Sequence, residues 1–307
     1  MPRRDYVHVR ARGSARVDSM KREVGIIIPV KDAHQYIGKC IDSLMRQTFP
    51  DFELLIIEDG VSPLVQRIVE EFGDPRIRYF RNEANLGIGG SRNRGLKLCK
   101  AKYIFFTDGD YVLSSDWIEQ GLNSLRTHEY VGVEGKTTYV SEDYVPTYSD
   151  HVCESKAPGN FMTGNVAYER DVLIDVGGFD QRYSYFEDRD LALRILRKNR
   201  ITFNPRMVAY AQRQILTYKD LLRRRGEASN RVYLYKRFGE KKSTLWRILY
   251  PWNVAKMLFP PLVFSSLLFS RFESRSDFEL LSFKYVQAVL ERLQLWKTCA
   301  KERVFLI

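Results

Sequence analysis

A chain of 307 residues with 44% hydrophobic and 28% charged residues can bury a sizeable core, which argues against a disordered segment and for one large α/β domain with an appendage or two small domains. Its formal charge of +11 favours anionic partners, whether nucleic acid, phospholipid headgroups or nucleotides and pyrophosphates, without choosing among them. The four cysteines, Cys40, Cys99, Cys153 and Cys299, lie far apart and form no C-x-x-C, so reduced cytosolic thiols are expected and a zinc knuckle is not.

Residues 1–22 read as a basic arm without an apolar run, unlike a secretory signal. "VGIIIPV" (Val24–Val30) is the first predicted strand, apolar enough for the centre of a parallel sheet. Ile37, Cys40, Ile41 and Leu44 then recur at helical spacing. "FELLIIEDG" is a second strand ending in acids, and Leu64, Val65, Ile68, Val69 and Phe72 mark a second helix. "RIRYF", the helix in "GGSRNRGLKLCK" and the buried strand Tyr103–Thr107 follow. Strands and helices in alternation predict an open α/β sheet whose ligand crevice lies beyond the carboxyl ends of the strands, where Asp59 and Asp108 fall. In "KYIFFTDGDYV" a hydrophobic strand leaves the core on Asp108 and Asp110. Carboxylates are costly to desolvate without compensation. A hard cation carried by phosphates is one reading of the pair, and an Asp-Gly turn is the other.

Asp116–Arg126 is a predicted helix with Asp116 as its N-cap. Residues 131–170 mix short strands and turns, "ERDVLIDVGGFD" is a short helix stopped by Gly177-Gly178, and "EDRDLALRI" is helical from Glu187. "ITFNPRMVAY" returns to strand. From Lys219 to Arg247 there are ten Lys/Arg against three Asp/Glu. The apolar run Met257–Phe269 holds two prolines and falls short of the roughly 20 residues of a membrane span. It suits either an interfacial segment or a helix packed on the main domain. "FELLSFKYVQAVLERLQLW" closes the chain with an expected amphipathic helix.

Four phrases in order, "IIIPVKDAHQYIGKCIDSLMRQTFPDFELLIIEDG", "NLGIGGSRNRGL", "KYIFFTDGDYV" and "GGFDQRYSYFEDRDLALRI", make residues 24–210 resemble a family 2 glycosyltransferase. The resemblance implies a GT-A type nucleotide-sugar-binding sheet with helices on both faces. It also implies inverting transfer of one sugar from a UDP- or GDP-sugar to an acceptor hydroxyl, aided by Mn²⁺ or Mg²⁺. By position, Pro29 and Val30 start the loop under the nucleotide, with Lys31 and Asp32 following. Asp59, with Glu58 beside it, contacts the base. Arg92 and Asn93 lie near the nucleotide. Asp108 serves ribose and metal, Asp110 holds the metal, and Asp188 is the catalytic base. Gly164 and Asn165 fall where the family opens an acceptor pocket. The chain departs from the pattern in three places: Glu58 stands where an aspartate is commoner, "VAYAQRQ" stands where a late histidine is common, and the Q-x-x-R-W of processive synthases is missing.

By chemistry alone Glu187 and Asp190 are also candidate bases, and both could equally be helix N-terminal charges. Asp59 could instead form an Asx-turn with Gly60, and Arg94 could be a solvated helix charge. His34 and His151 read as surface or packing residues. The expected organisation is an arm (1–22), a glycosyltransferase domain (23–215) and a helical extension (216–307). The extension either meets an anionic membrane surface at the cytoplasmic face, where the acceptor would be lipid-linked, or packs on the domain or in a homodimer. A nucleotidyltransferase is disfavoured because "IIIPVKDAHQY" carries no Gly-rich basic signature. A non-catalytic nucleotide-binding or nucleic-acid-binding protein is disfavoured by the intact acids and by the lack of a recognised binding module.

Overall fold

Val24–Val30 has no charged side chain and every residue of it is buried, so it must lie inside a sheet covered on both faces. In the computed structural model, which describes residues 22–60, 62–223, 226–239 and 270–303, this strand (β1) lies third from one edge of the sheet. The other strands are β2 (Phe52–Glu58), β3 (Ile77–Arg81), β4 (Tyr103–Phe106), β5 (Tyr111–Leu113), β6 (Gly132–Tyr139), β7 (Val166–Glu169) and β8 (Ile201–Ala211). They form one eight-stranded sheet in the order β3-β2-β1-β4-β7-β6-β8-β5. Strands β3, β2, β1 and β4 are parallel, with Ile27 level with Leu55 on one side and Phe106 on the other. The chain builds outward from β1 to β3 and then crosses to β4 on the other side of β1. That reversal leaves a crevice at the carboxyl ends of β1 and β4. Beyond β4 the sheet turns antiparallel through β7, and β5 pairs antiparallel with β8 at the far edge.

Alternation along β1 feeds two cores. Ile26 and Ile28 pack with Ile37, Ile41 and Leu44 of α1 (Ile37–Met45), Val65 of α2 (Pro63–Phe72) and Trp117 and Leu122 of α4 (Trp117–Leu125). Ile27 faces the other way, towards Leu96 of α3 (Gly87–Leu98), Leu173 of α5 (Arg170–Asp175) and Leu191 and Ile195 of α6 (Glu187–Ile195). α3 lies close on β1 because Gly95 has no side chain: a Cβ there would meet Ile27 Cγ2 at 2.5 Å.

Several local expectations are corrected. Leu64 is on the solvent side of α2, not the core side. Asp116 occupies the N-cap position of α4, but its carboxylate accepts from the Gln120 side chain at 3.0 Å and caps no backbone N–H. Pro29 and Val30 are not loop residues: both are still paired with β2, and the Val30 carbonyl accepts from Asp59 N–H at 2.8 Å.

The extension contributes α7 (Tyr218–Arg223), α8 (Gly226–Phe238) and α9 (Arg275–Glu302). α9 packs on α7 and α8. Its first turn is tied to the main domain by Asp277, which accepts from Ser149 N–H at 2.7 Å while closing a capping box with Ser274. Those hydrogen bonds hold the Asp277 carboxyl well below the usual range despite burial, which opposes them. Tyr148 stacks on Phe272 at 4.7 Å beside this joint. The described part of the extension therefore packs intramolecularly. Residues 1–21 of the arm and the Met257–Phe269 run lie outside the described residues. Among the described residues no helix is long and apolar enough to cross a membrane. α9 is not simply amphipathic as expected, since it shows apolar residues on its buried and its exposed sides.

Candidate active site

The carboxyl end of β4 delivers Asp108 and Asp110 to the crevice, and the N-terminus of α6 delivers Glu187 and Asp188. The two elements are joined by one side chain. Arg92, on the middle turn of α3, is 1% exposed and donates from Nη2 to Asp108 Oδ1 and from Nη1 to Glu187 Oε1, both at 2.8 Å. Phe179 lies under the guanidinium, 5.4 Å from ring centre to Cζ. Arg92 Nε is buried without a partner. A planar fork that always carries charge suits this double pairing, which a lysine could not make in the same way. Glu187 is thus more than a helix-end charge. Asp190 is engaged on another side, with Arg194 at 2.8 Å and Arg237 of α8 at 2.7 Å.

Two acids in the crevice hold their protons unusually tightly. Burial and the charge of Asp108 push the Asp110 carboxyl up to about 7, against the hydrogen bond donated by the Gln214 amide to Asp110 Oδ2. Burial and the charge of Glu187 push Asp188 up to about 7, against Arg92 and the N–H groups of Arg189 and Thr163. The Arg189 N–H bond to Asp188 Oδ1 is 2.7 Å. The turn before Asp188 is buttressed by the extension. Buried Asn230 of α8 donates to Ser184 Oγ and to the Tyr185 carbonyl, both at 3.1 Å, and Arg231 lies over Phe186, whose φ of 66° is left-handed.

Other sequence candidates are placed differently. Asp59 spends both oxygens on structure: Oδ1 accepts from Asn82 Nδ2 at 2.7 Å and Leu86 N–H at 2.8 Å, and Oδ2 from Gly87 N–H at 2.8 Å. It pins the entrance of α3, so the Asx-turn with Gly60 is not its role. Glu58 is buried, accepting from Ser62 N–H at 2.9 Å and from the Tyr79 hydroxyl. Asn93 is turned away from the crevice and clamps Phe179, donating to its carbonyl and accepting from its N–H, both at 2.8 Å. Arg94 donates to the Arg81 carbonyl and Asn82 Oδ1, so it is not merely solvated. Gly164 and Asn165 form no open pocket. A Cβ on Gly164 would strike the Tyr111 ring at 2.5 Å, and the Asn165 amide is consumed by Trp117 Nε1 and the carbonyls of Lys136 and Met207. Packing took them because the β6–β8 pairing is irregular at Gly135/Lys136 and leaves carbonyls that need a donor. Lys31 and Asp32 are exposed at the mouth of the crevice, Asp32 with φ 52°.

Three contributors escaped the sequence reading. Gln214 reaches Asp110 from the "VAYAQRQ" segment, and only the position of that segment after β8 hinted at it. Thr163 supplies a backbone N–H, which leaves no sequence signal. Glu134, buried on β6, accepts from the N–H groups of Gly159, Asn160 and Phe161 at 2.8–3.1 Å and so shapes the loop leading to Thr163. Among the described residues no group of three or more His, Cys, Asp or Glu is placed to hold a metal. The donor set still fits a hard cation that brings phosphate oxygens of its own. Asp108 and Asp110 are adjacent oxygen donors, and their mutual repulsion helps raise the Asp110 carboxyl.

The family model described as glycosyl transferase family 2 matches residues 25–188, more than half of the chain. The chain belongs to this family. It is 40% identical over 94 residues to the uncharacterized glycosyltransferase EpsJ of Bacillus subtilis, a match that takes in 30% of this chain and only 27% of EpsJ. It is 27% identical over 186 residues to WfgD of Escherichia coli, a UDP-Glc:alpha-D-GlcNAc-diphosphoundecaprenol beta-1,3-glucosyltransferase, covering 58% of this chain and 72% of WfgD. Among solved structures, mannosyltransferase PcManGT of Pyrobaculum calidifontis, in complex with GDP-Man and Mn²⁺, superposes with a TM-score of 0.52 at 14% identity, over 93% of this chain and 76% of that one. At that identity the likeness concerns the fold alone, a GT-A-like α/β sheet with a helical extension.

Proposed function

We propose that this chain transfers one sugar, with inversion, from a nucleoside diphosphate sugar to an acceptor hydroxyl. The observation that carries the reading is the Arg92 bridge, which links the acids after β4 to the acids opening α6 across the one crevice where such a sheet takes ligands. Asp108 and Asp110 would hold a Mn²⁺ or Mg²⁺ ion, which supplies positive charge to the departing diphosphate. Asp188 takes the proton of the acceptor hydroxyl as that oxygen attacks the anomeric carbon on the face opposite the leaving diphosphate, so the C–O bond to phosphate breaks as the new one forms. A carboxyl poised near 7 is matched to that task at neutral pH. Arg92 and Glu187 do not touch the reacting atoms in this scheme. They fix the distance between donor site and base.

The likeness to WfgD supports an acceptor carried on a lipid diphosphate. Hydrolysis of a panel of UDP- and GDP-sugars with Mn²⁺ present tests the donor half, because water replaces an unknown acceptor. Turnover of one donor that Asp188→Asn abolishes is expected. A folded protein that binds none of them would overturn the reading, and one that binds a donor without ever turning it over would leave a nucleotide-binding role without transfer.

A further inference from the structure

Glu134 sits inside the sheet, on β6 between Val166 of β7 and Phe203 of β8, and is 2% exposed. Among the described residues it makes no salt bridge. A carboxylate buried there is tolerated only where hydrogen-bond donors surround it. Four donors do, all from one loop: Oε1 accepts from Phe161 N–H at 2.8 Å and from Asn160 N–H and Ser155 Oγ, each at 3.1 Å, and Oε2 accepts from Gly159 N–H at 2.8 Å. Successive N–H groups turn towards one anion only where the backbone is contorted. Gly159 has φ 101° and Phe161 φ 56°, the latter a left-handed conformation that a side chain disfavours. Strain of this kind persists where the surroundings over-determine it, and it gathers at functional sites.

The same loop meets the base on its other side. The Gly159 carbonyl accepts from Arg189 Nη1 at 3.0 Å, and Thr163 N–H donates to the Asp188 carboxyl. Glu134 therefore holds the loop at Gly159, Asn160 and Phe161, and the loop in turn holds Arg189 and Asp188 at the N-terminus of α6. Tyr168, buried near both acids, offers no second route between them, because its hydroxyl has no hydrogen-bond partner. We propose that Glu134 is a positioning residue for sugar transfer: through residues 159–163 it fixes where the Asp188 carboxylate meets the acceptor hydroxyl. This rests on the reading of Asp188 as the base.

Two substitutions separate position from charge. Glu134→Gln keeps the shape, but whichever way the amide is turned its NH₂ faces an N–H donor. Glu134→Asp keeps the charge and withdraws it by one methylene. Turnover of the donor found in the hydrolysis panel, and its affinity by calorimetry, are measured for both, with Tyr168→Phe as the control. Both Glu134 variants should lose about 10–10²-fold in kcat, while donor Kd changes less than about twofold. The control should keep both values, and a carboxylate that only stabilised the fold would not produce this split. Amide hydrogen exchange gives a reading that needs no turnover: the loop around Thr163 and the first turn of α6 should lose protection together in both variants, while β1 and β4 keep theirs. If neither variant melts cooperatively, Arg189→Met, which cuts the tie to Gly159 from the α6 side, carries both comparisons with the same expected results. Parental kcat in a folded Glu134→Asp, donor affinity that falls in step with kcat, or a loop that loosens while the turn at Asp188 stays protected would each overturn the proposal. A parent that turns over no donor would count against the transfer reading, and exchange would still decide whether Glu134 holds Asp188.

Discussion

Replacing Arg92 with Met tests whether the crevice is held together by one buried cation. The change removes the partner of Asp108, whose side chain is 27% exposed, and of Glu187, at 9%. Breaking a buried pair from one side costs about 3–5 kcal/mol because a charge is left uncompensated. Two terms reduce this: Asp108 is partly in water, and the unpartnered Nε, itself worth about 1–3 kcal/mol, disappears with the guanidinium. A net loss of about 2–3 kcal/mol at pH 8 follows, or a fall of roughly 3–5 °C in melting temperature for a chain of this size. Thermal unfolding followed by circular dichroism at pH 8 reads it. Arg92→Lys should fall between, since a point charge reaches one carboxylate and not both. Glu187→Gln added to Arg92→Met should recover part of the loss. A shift under about 1 °C would refute the reasoning, because it would mean that neither acid depends on Arg92.

Asp188→Asn should lower turnover by about 10²–10⁴-fold while donor affinity by calorimetry changes less than about twofold; collapse of donor affinity would make Asp188 a binding residue. With Asp188 near 7, transfer in the parent should rise about tenfold per pH unit below that value and level off above it, and a profile flat from pH 5 to 8 contradicts the base assignment. Asp110→Asn should abolish Mn²⁺-dependent nucleotide binding. It should also flatten stability between about pH 4 and 7, where the folded parent keeps a proton that the unfolded chain has lost and so weakens as pH rises. Asn230→Ala removes both bonds to the turn before Phe186 and should cost about 1–2 kcal/mol, with turnover falling more than donor affinity; unchanged turnover would show that α8 does not position Asp188.

The alternation of apolar runs with helical spacing was legible from residues alone, because each strand and helix of the parallel half satisfies its own period over many positions. So was the exit of β4 onto two acids. The short β5 was not, since Tyr111–Leu113 becomes a strand only by pairing with Tyr210 and its neighbours in β8, far along the chain. The chemistry-bearing residues divide in the same way. Asp108, Asp110 and Asp188 stand out by type and position. Which polar residues remain open to a ligand depends instead on the backbone groups that packing brings within about 3 Å. Asn93, Gly164 and Asn165 look like ligand residues in one dimension, yet in three they serve Phe179, Tyr111 and the bulged carbonyls of β6 and β8. Asp59 keeps its place at the end of β2, but its oxygens go to Asn82, Leu86 and Gly87. The bridge from Asp108 through Arg92 to Glu187 joins positions on three separate elements, and no local pattern encodes it. A buried cation is satisfied wherever the fold delivers carboxylates, and only the stacking of α3 on β1 at Gly95, with α6 alongside, delivers these two.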